Sequence, residues 1–385
     1  MINCPTNPGS RAKLTTGQRK LGEVAEIYQG GKSGLTKKDY VKSGFLAFSA
    51  TGQDGFTKKA FDSGFAVILS SIGARCGKCF YAEGKWTALA NTQVIKLDDP
   101  MAAKFLYYYL NDENKWPRYG SAQPFIAPST VKRLKVPFPS LPIQKKIVER
   151  LDAIKKTQEL NDKQLVLVEE LFQSLLHREL DPKGKNWDFV KLGNVVQKIE
   201  YGLSVSVQNR LDENGVPILT MAEIENDGQI NYQKTRKISA SANELKKFKI
   251  NKGELLFNWR NEKALIGKTG LFESEKDFIF ASFLLRIVTN EKILPEFLWY
   301  WLNYLRTKNA YLQYAHLAGN QASYNANSLQ NKISCPLILI KNQQKIVEKL
   351  SAVQDYKKKL LEQKQKLNEL FESVLNKSMK RELIK

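Results

Sequence analysis

Histidine and cysteine are scarce in this chain: its 385 residues include two His and four Cys. Two histidines leave little material for a Ser-His-Asp catalytic arrangement, in which a His must sit beside both a nucleophile and a carboxylate. Cys76 and Cys79 have the spacing of a zinc site, but a structural site needs four ligands. The other candidate ligands are distant in sequence: Cys4, Cys335, His177 and His316. We therefore expect no metal centre and, in a reduced compartment, no disulfide.

Long apolar runs are also missing. No stretch approaches the ~18 apolar residues that a membrane-spanning helix needs, and the residues after Met1 lack the apolar core of a secretion signal. The sequence has no Asp-Pro-Pro-Tyr methyltransferase motif. Gly30-Gly-Lys-Ser33 resembles the end of a phosphate-binding loop, but Glu26 stands where that pattern needs Gly. We expect a cytoplasmic protein without a membrane partner, without a cofactor of its own and without catalytic activity by itself.

Acidic residues are outnumbered by basic ones. Sixty Lys and Arg face 39 Asp and Glu, which gives a formal net charge of +21. Folding does not require this excess, because like charges repel one another in the compact state. The basic residues are spread along the whole chain, which favours an extended surface for a polyanion. Double-stranded DNA is the leading expectation, while an anionic membrane surface and a merely basic protein are the alternatives.

Two segments occur twice at the same offset. Residues 144–151 (QKKIVERL) match residues 343–350 (QQKIVEKL), and residues 170–176 (ELFQSLL) match residues 369–375 (ELFESVL), both 199 positions apart. A shared offset over separated blocks indicates an internal duplication. It predicts an α/β (α+β) protein in which a globular domain and a long helix each occur twice. The expected boundaries are an N-terminal segment at residues 1–20, a first domain at 21–140, a central long helix at 141–182, a second domain at 183–338 and a C-terminal long helix at 339–385.

Apolar residues recur every three or four positions in both predicted long helices, which is typical of a coiled coil. A helix cannot bury such a stripe alone, so we expect the two helices to pair in antiparallel orientation. The alternative is that each helix packs on its own domain. Four polar positions within the stripe can fix the register: Gln158, Asn161, Lys357 and Lys364. The apolar positions are Ile147, Leu151, Ile154, Leu165, Val168, Phe172 and Leu175 in the first helix, and Ile346, Leu350, Val353, Leu360, Leu367, Phe371 and Val374 in the second.

The globular halves contain short apolar runs, at residues 66–69, 93–95, 254–257 and 283–288, that predict buried strands. Each half also has one aromatic helix, whose rings we expect in the core, followed by a polar loop: RYGSAQP at 118–124 and HLAGNQAS at 316–323. Gln and Asn can contact adenine, Arg can contact guanine, and Ser suits phosphate. The alternative is that these loops are ordinary turns. The candidate DNA contacts are Lys32, Ser33, Arg75, Lys78, Arg118, Tyr119 and Gln123 in the first half, and Trp259, Arg260, Lys263, Lys268, Asn320, Gln321 and Ser323 in the second.

Taken together, these residues resemble the specificity subunits of type I restriction–modification systems. The resemblance covers nearly the whole chain and rests on the duplicated order, on LGEV at 21–24, on GKS at 31–33 and on PFPSLPIQ at 137–144 ahead of the first helix. The second copy keeps only Pro336 and Gln343 of the last pattern. The resemblance implies that each globular half is a target-recognition domain that reads one half of a split, asymmetric DNA target in the major groove.

The same resemblance implies partners. Two methyltransferase subunits would bind the long helices and supply S-adenosylmethionine and the catalytic residues for adenine methylation, and a motor-nuclease subunit can join for cleavage. A free-standing DNA-binding regulator is the main alternative, but identical chains paired by a coiled coil would read a palindrome. A coiled-coil adaptor that does not bind DNA is the third interpretation, and the charge of +21 speaks against it.

Overall fold

In a computed structural model that describes residues 18–120 and 122–379, the chain divides into two compact units. Unit 1 comprises the chain up to Lys163 and again from Glu362, and unit 2 comprises Gln164–Leu361. Each unit holds one globular domain and one half of each long helix. Cys4 and most of the predicted N-terminal segment lie outside the described residues.

Domain 1 is the part of unit 1 that precedes the first long helix. Its strands are β1 (Gln18–Lys20), β2 (Glu26–Gln29), β3 (Phe45–Ser49), β4 (Gly52–Thr57), β5 (Asp62–Ser63), β6 (Phe65–Ser70), β7 (Cys79–Ala82), β8 (Lys85–Ala88), β9 (Thr92–Leu97) and β10 (Lys135–Pro137). Its helices are α1 (Leu21–Val24), α2 (Pro100–Leu110) and α3 (Pro128–Arg133), and the long helix that follows is α4 (Leu141–Leu180).

Domain 2 is the part of unit 2 that lies between the two long helices. Its strands are β11 (Asp188–Lys191), β12 (Val196–Tyr201), β13 (Leu211–Leu219), β14 (Arg236–Ile238), β15 (Lys249–Ile250), β16 (Leu255–Asn258), β17 (Arg260–Glu262), β18 (Thr269–Leu271), β19 (Phe278–Phe280), β20 (Leu284–Thr289), β21 (His316–Ala318), β22 (Gln321–Ser323) and β23 (Ser334–Leu337). Its helices are α5 (Ala242–Phe248), α6 (Pro295–Thr307) and α7 (Ala326–Lys332), and the second long helix is α8 (Ile340–Met379).

The two domains share one topology. The main sheets have the orders β2-β9-β6-β7 in domain 1 and β12-β20-β16-β18 in domain 2, and the second sheets have the orders β4-β3-β8-β5 and β14-β13-β19-β15. The third strand along the chain, β3 or β13, pairs in parallel with β8 or β19 in both cases. The duplication predicted from the long helices therefore extends through the domains, and the mixed α/β fold class is confirmed.

Strand β6 shows why these sheets form at unbroken apolar runs. Residues 66–69 are fully buried, and their side chains alternate between two faces. Val67 and Leu69 pack with the α2 cluster, whereas Ala66 and Ile68 pack with Phe48 of the second sheet. Because both faces are covered, residues 66–69 are all apolar. The equivalent strand β16 divides its side chains between two clusters in the same way.

One glutamine anchors the start of each long helix. The Gln144 side chain donates from Nε2 to the Pro139 carbonyl at 2.8 Å. Gln343 makes the corresponding bond to the Ile338 carbonyl at 2.9 Å, and it also donates to the Lys292 carbonyl and accepts from the Leu294 amide. Both side chains are buried. This contact explains why Gln survives in the second copy when most of the surrounding pattern does not.

We expect Gln343→Ala to destabilise the chain more than Gln144→Ala. The first change leaves up to three backbone groups without their partner and should cost about 2–3 kcal/mol, while the second leaves one and should cost about 1 kcal/mol. Urea unfolding followed by circular dichroism measures both. Equal losses for the two variants would show that the additional bonds of Gln343 contribute nothing.

The two long helices run antiparallel within each unit. In unit 1, Gln158 donates to Asn368 at 2.9 Å and Lys364 pairs with Asp162 at 2.8 Å, so a step of four forward on α4 is a step of four back on α8. In unit 2, Lys357 pairs with Glu169 at 2.8 Å and Lys349 with Glu179 at 3.1 Å. Three of the four polar residues predicted to set the register, Gln158, Lys357 and Lys364, thus make these contacts between the helices.

The fourteen predicted seam residues are all buried or half-buried. They also pack on the domains: Ile147 and Leu151 belong to the core cluster of domain 1, and Phe172 and Leu350 to that of domain 2. The helices are therefore paired, as expected, and each also packs on both domains, which differs from the alternative of two separate helices that each pack on one domain. As expected, the aromatic helices face the cores, with Tyr108, Trp299 and Trp301 buried.

Candidate nucleic-acid interface

A hairpin closed by Tyr119 and Phe125 carries the predicted polar loop of domain 1. Tyr119 and Phe125 exchange both backbone hydrogen bonds, at 2.9 and 2.8 Å, and Gly120 turns the chain between them with a φ of +82°. Such a φ favours glycine. The next residue after the hairpin, Ile126, donates its amide to the Ser71 carbonyl at 2.9 Å. Tyr119 and Gln123 are both exposed beside these bonds.

Basic side chains surround this hairpin. Arg75 lies in the loop after β6 and donates to the Thr51 carbonyl at 2.6 Å. Lys78 and Arg118 both approach Glu113, at 3.4 and 3.6 Å. One carboxylate thus holds two cations from different segments, and the fold gathers five candidates (Arg75, Lys78, Arg118, Tyr119 and Gln123) in one region of domain 1.

Lys32 and Ser33 lie on a neighbouring loop. The Gly31 amide donates to Ala88, and the Ser71 amide donates to Asn91, so the turn at residues 88–92 connects this loop to the hairpin region. Lys32 is exposed, and its ammonium stands 3.9 Å from the centre of the Tyr28 ring. The Ser33 hydroxyl accepts from the Leu35 amide. The loop is therefore a local turn, and the exposed ammonium of Lys32 is accessible to an anion.

The candidates of domain 2 meet in a three-stranded sheet of order β17-β22-β21. Arg260 lies opposite Ser323, which lies opposite His316, and Glu262 lies opposite Gln321. Gly319 turns the hairpin with a φ of +58°, and the Lys263 amide donates to the Asn320 carbonyl at 3.0 Å.

One face of this small sheet is turned outward. Asn261 and Ala322, which lie opposite each other, face inward. Ala322 is buried, and the Asn261 side-chain amide contacts the Met221 sulfur. Side chains alternate across a strand, so Arg260, Gln321 and Ser323 share the opposite face. That face carries a cation, an amide, a hydroxyl and the carboxylate of Glu262, which lies opposite Gln321. The first two groups contact guanine and adenine in the DNA major groove, a hydroxyl suits phosphate, and a carboxylate can accept from cytosine.

Trp259 supports this face from below. Its indole N–H donates to the Ser282 carbonyl at 2.6 Å, so this N–H is not available to a DNA base. The ring is half-buried and contacts Tyr201 edge-on, with ring centres 5.3 Å apart. We therefore interpret Trp259 as packing for Tyr201 and Phe283, two aromatic residues that are themselves exposed beside Arg260.

Lys268 does not fit its predicted role. It is 8% exposed, and its ammonium donates to the backbone carbonyls of Met221 and Ile224. Burial, together with the positive charge of Arg306, lowers the pKa of Lys268. Its sequence match, Lys78, is exposed. The sequence suggested the same role for both, but in domain 2 the backbone of Met221 and Ile224 covers the Lys268 ammonium.

Cys76 and Cys79 are buried thiols. Cys76 donates to the Ser71 carbonyl and Cys79 to the Leu110 carbonyl, and burial raises the pKa of both. They support the loop that carries Arg75 and Lys78. Within residues 18–120 and 122–379, no cluster of His, Cys, Asp or Glu has the composition to hold a metal ion. No helix in that part of the chain is long and apolar enough to cross a membrane.

Sequence reasoning missed four residues of these surfaces: Glu113, Phe125, Tyr201 and Phe283. Phe125 and Phe283 were visible as large apolar residues beside polar loops, and 42% of each remains exposed. Glu113 gave no signal, because its contact with Lys78 joins segments that are far apart in the sequence.

We expect Glu113→Gln to raise non-specific DNA affinity about threefold and to reduce discrimination between targets, because the change frees two cations and removes a negative charge near the DNA. Fluorescence anisotropy with specific and random duplexes measures both effects. Glu149→Gln, on the exposed surface of α4, is the control and should change neither. Unchanged binding of Glu113→Gln would place the hairpin away from DNA.

Comparison with known proteins identifies the architecture. A family model for the type I restriction modification DNA specificity domain matches residues 15–170 and 184–371. The chain is 29% identical over 170 residues to the putative type I restriction enzyme MjaX specificity subunit of Methanocaldococcus jannaschii, which covers 43% of this chain and 39% of that protein. It is 23% identical over 282 residues to the EcoKI specificity subunit of Escherichia coli K12, covering 67% and 60%. The chain thus spans less than two thirds of either relative.

Solved structures show the same fold. The S subunit of the type I restriction–modification system from M. genitalium superimposes with a TM-score of 0.62 at 16% identity, over 95% of this chain and 98% of that one. A chain from a structure of complex assembly in the type I R-M system gives 0.58 at 19% identity, over 96% and 99%. The family match covers both domains and most of both long helices. The chain therefore belongs to the type I restriction modification DNA specificity family and contains two copies of its specificity domain.

Proposed function

We propose that this chain is the DNA-reading subunit of a type I restriction–modification enzyme, in which domain 1 reads one half of a split target and domain 2 the other. The observation that carries this proposal is the pair of equivalent hairpins. Each has a Gly with positive φ at its tip and follows the aromatic helix, and each pairs with the segment after the equivalent strand, β6 or β16. The scaffold is the same while the side chains differ.

Different side chains on one scaffold favour two different half-sites. Domain 1 offers Arg118, Tyr119 and Gln123, and domain 2 offers Arg260, Gln321 and Ser323. Base edges in the major groove are distinguished by such donor and acceptor patterns, while lysines near the loops suit phosphate. An asymmetric bipartite target follows, rather than the palindrome that a dimeric regulator would read.

The long helices carry a second surface, which suits a protein partner. On α4 in unit 2, the side chains of Val166, Leu167 and Leu171 are 59%, 62% and 54% exposed. On α8 in the same unit, Tyr356 and Leu361 are also exposed. A single exposed leucine is ordinary, but several large apolar side chains on one helix pair mark an interaction site.

We assign this surface to methyltransferase subunits, two of which would join the complex. They would supply S-adenosylmethionine and the residues that methylate adenine, and a motor-nuclease subunit would add cleavage. The complex would act in the cytoplasm on double-stranded DNA.

The test is to co-express the chain with its methyltransferase subunit and to map methylated adenines by single-molecule sequencing. We expect a split, asymmetric motif that disappears when this chain is left out. Unchanged methylation in an assembled, active complex would refute the proposal and favour the free-standing regulator.

A further inference from the structure

The two domains differ most between two equivalent strands of the second sheet. Strands β3 and β4 are joined by residues 50 and 51 alone, whereas β13 and β14 are joined by residues 220–235. The same step in the topology therefore has a tight turn in domain 1 and a long connection in domain 2. We call residues 220–235 the long connection.

The long connection packs against its own unit. Asp227 accepts from Lys357 of α8 at 2.9 Å, and the Gly228 carbonyl accepts from the Trp299 indole at 3.2 Å. Ile224 is buried. A Cβ on Gly270 of β18 would stand 2.8 Å from the Ile230 side chain, so the connection lies directly on that strand. It fills the space between the second sheet, α6 and α8.

The equivalent space in domain 1 is an open groove of about 580 Å³. Phe80 occupies the position of Gly270, because Phe80 pairs with Ile68 as Gly270 pairs with Leu256. The tight turn leaves this ring half-exposed instead of covered. The groove is lined by Phe48, Gln53, Phe80, Tyr81, Lys104, Tyr107, Tyr108, Asp152, Lys155, Lys156 and Glu159.

The chemistry of the groove complements the chemistry of the long connection. Two lysines of α4 stand at its wall: Lys156 is exposed, and Lys155 donates to the Tyr107 hydroxyl at 3.1 Å with its charge above the aromatic rings. The long connection has three acidic residues (Glu223, Glu225 and Asp227) and one lysine, Lys234, which pairs with Glu225 at 2.7 Å. Domain 2 thus shows which kind of segment this position accepts: an acidic one with aliphatic side chains.

We propose that the groove of domain 1 binds, from another chain, an acidic segment with an aliphatic side chain, as domain 2 binds its own long connection. We assign that segment to the methyltransferase subunit, which makes this inference dependent on the proposed function. The assignment follows from continuity: α4 forms one wall of the groove, and the next residue after Glu159, Leu160, is an apolar side chain that is 53% exposed.

A DNA backbone fits the groove less well. The walls are largely aromatic, which suits an aliphatic side chain better than a sugar-phosphate chain. DNA in the groove is therefore the competing outcome that the experiment must separate.

The experiment uses the full chain assembled with its methyltransferase subunit. A zero-length carbodiimide joins a lysine to a carboxylate only where the two are in contact. We expect mass spectrometry to find Lys155 or Lys156 joined to an Asp or Glu of the partner. We also expect the double variant Lys155→Glu, Lys156→Glu to weaken association about tenfold. The control, Lys145→Glu with Lys146→Glu, makes the same charge change at exposed positions nearer the start of α4 and should weaken it less than twofold.

The outcomes separate the two proposals. If the subunits assemble, the groove lysines form no cross-link to the partner and the double variant binds the partner normally, this inference is wrong and the proposed function stands. If the double variant instead loses affinity for DNA in the absence of the partner, the groove is a DNA track and the inference is also wrong. If the two subunits do not associate at all, both proposals fail.

Discussion

Replacing Arg260 with Ala should weaken recognition of one half of the DNA target by about 10- to 100-fold, the range expected when one bidentate contact to guanine is lost. Arg260 lies on the outward face of the sheet formed by β17, β22 and β21, opposite Ser323. Its guanidinium stands over the exposed Phe283 ring at 5.9 Å, which limits the orientations that it adopts. A fixed guanidinium loses little entropy when it contacts a base.

The matched variant in domain 1 is Arg118→Ala, which should affect the other half of the target only. Competition binding with duplexes in which one half at a time is scrambled separates the two effects. Lys85→Ala, which removes an exposed charge of β8, is the control for lost positive charge. If both halves weaken equally in either Arg variant, that Arg contacts the DNA backbone and does not read bases.

Changing Leu167 and Leu171 together to Asp should abolish methylation by the complex while leaving DNA binding by the chain intact. Both side chains are more than half exposed, and they lie one turn apart on α4 in unit 2. If a methyltransferase subunit covers them, the variant buries two unpaired carboxylates in an apolar contact, which should weaken association by about a hundredfold or more. Size-exclusion chromatography of the mixed subunits measures association directly.

Leu245→Asp provides the control, because Leu245 is an exposed leucine of unit 2 on α5, away from the long helices. It should leave both assembly and methylation unchanged. Normal assembly of the Leu167, Leu171 double variant would exclude this surface as the docking site, and loss of DNA binding would indicate that the substitutions disturb the fold.

The long helices could be predicted because their signal is local and repeated. A stripe of apolar residues every three or four positions can be read from consecutive residues, and the long helix expected at residues 141–182 is close to the observed Leu141–Leu180. The repeat then predicted the second helix. Polar seam residues such as Lys357 were also recognisable, because they interrupt an otherwise apolar stripe.

The site was harder to predict, because exposure depends on distant segments. Lys268 and Lys78 follow the same Gly in the two copies, yet only Lys268 is buried, since the turn at Met221–Ile224 lies over its ammonium. No local pattern reports such a contact. For the same reason the strand orders, the role of Glu113 and the individual base contacts could not be derived from spacing, and most of the candidate contacts stay predictions.

The long connection also affects how domain 2 opens. It is held by Trp299 of α6, by Lys357 of α8 and by the buried Lys268 beside β18. Elements joined in this way tend to open together, because opening one breaks bonds to the others. We therefore expect the connection, although irregular, to behave as part of one cooperative folding unit of domain 2. Its backbone amides should exchange with solvent deuterium as slowly as those of β16, while the tight turn of domain 1 exchanges early.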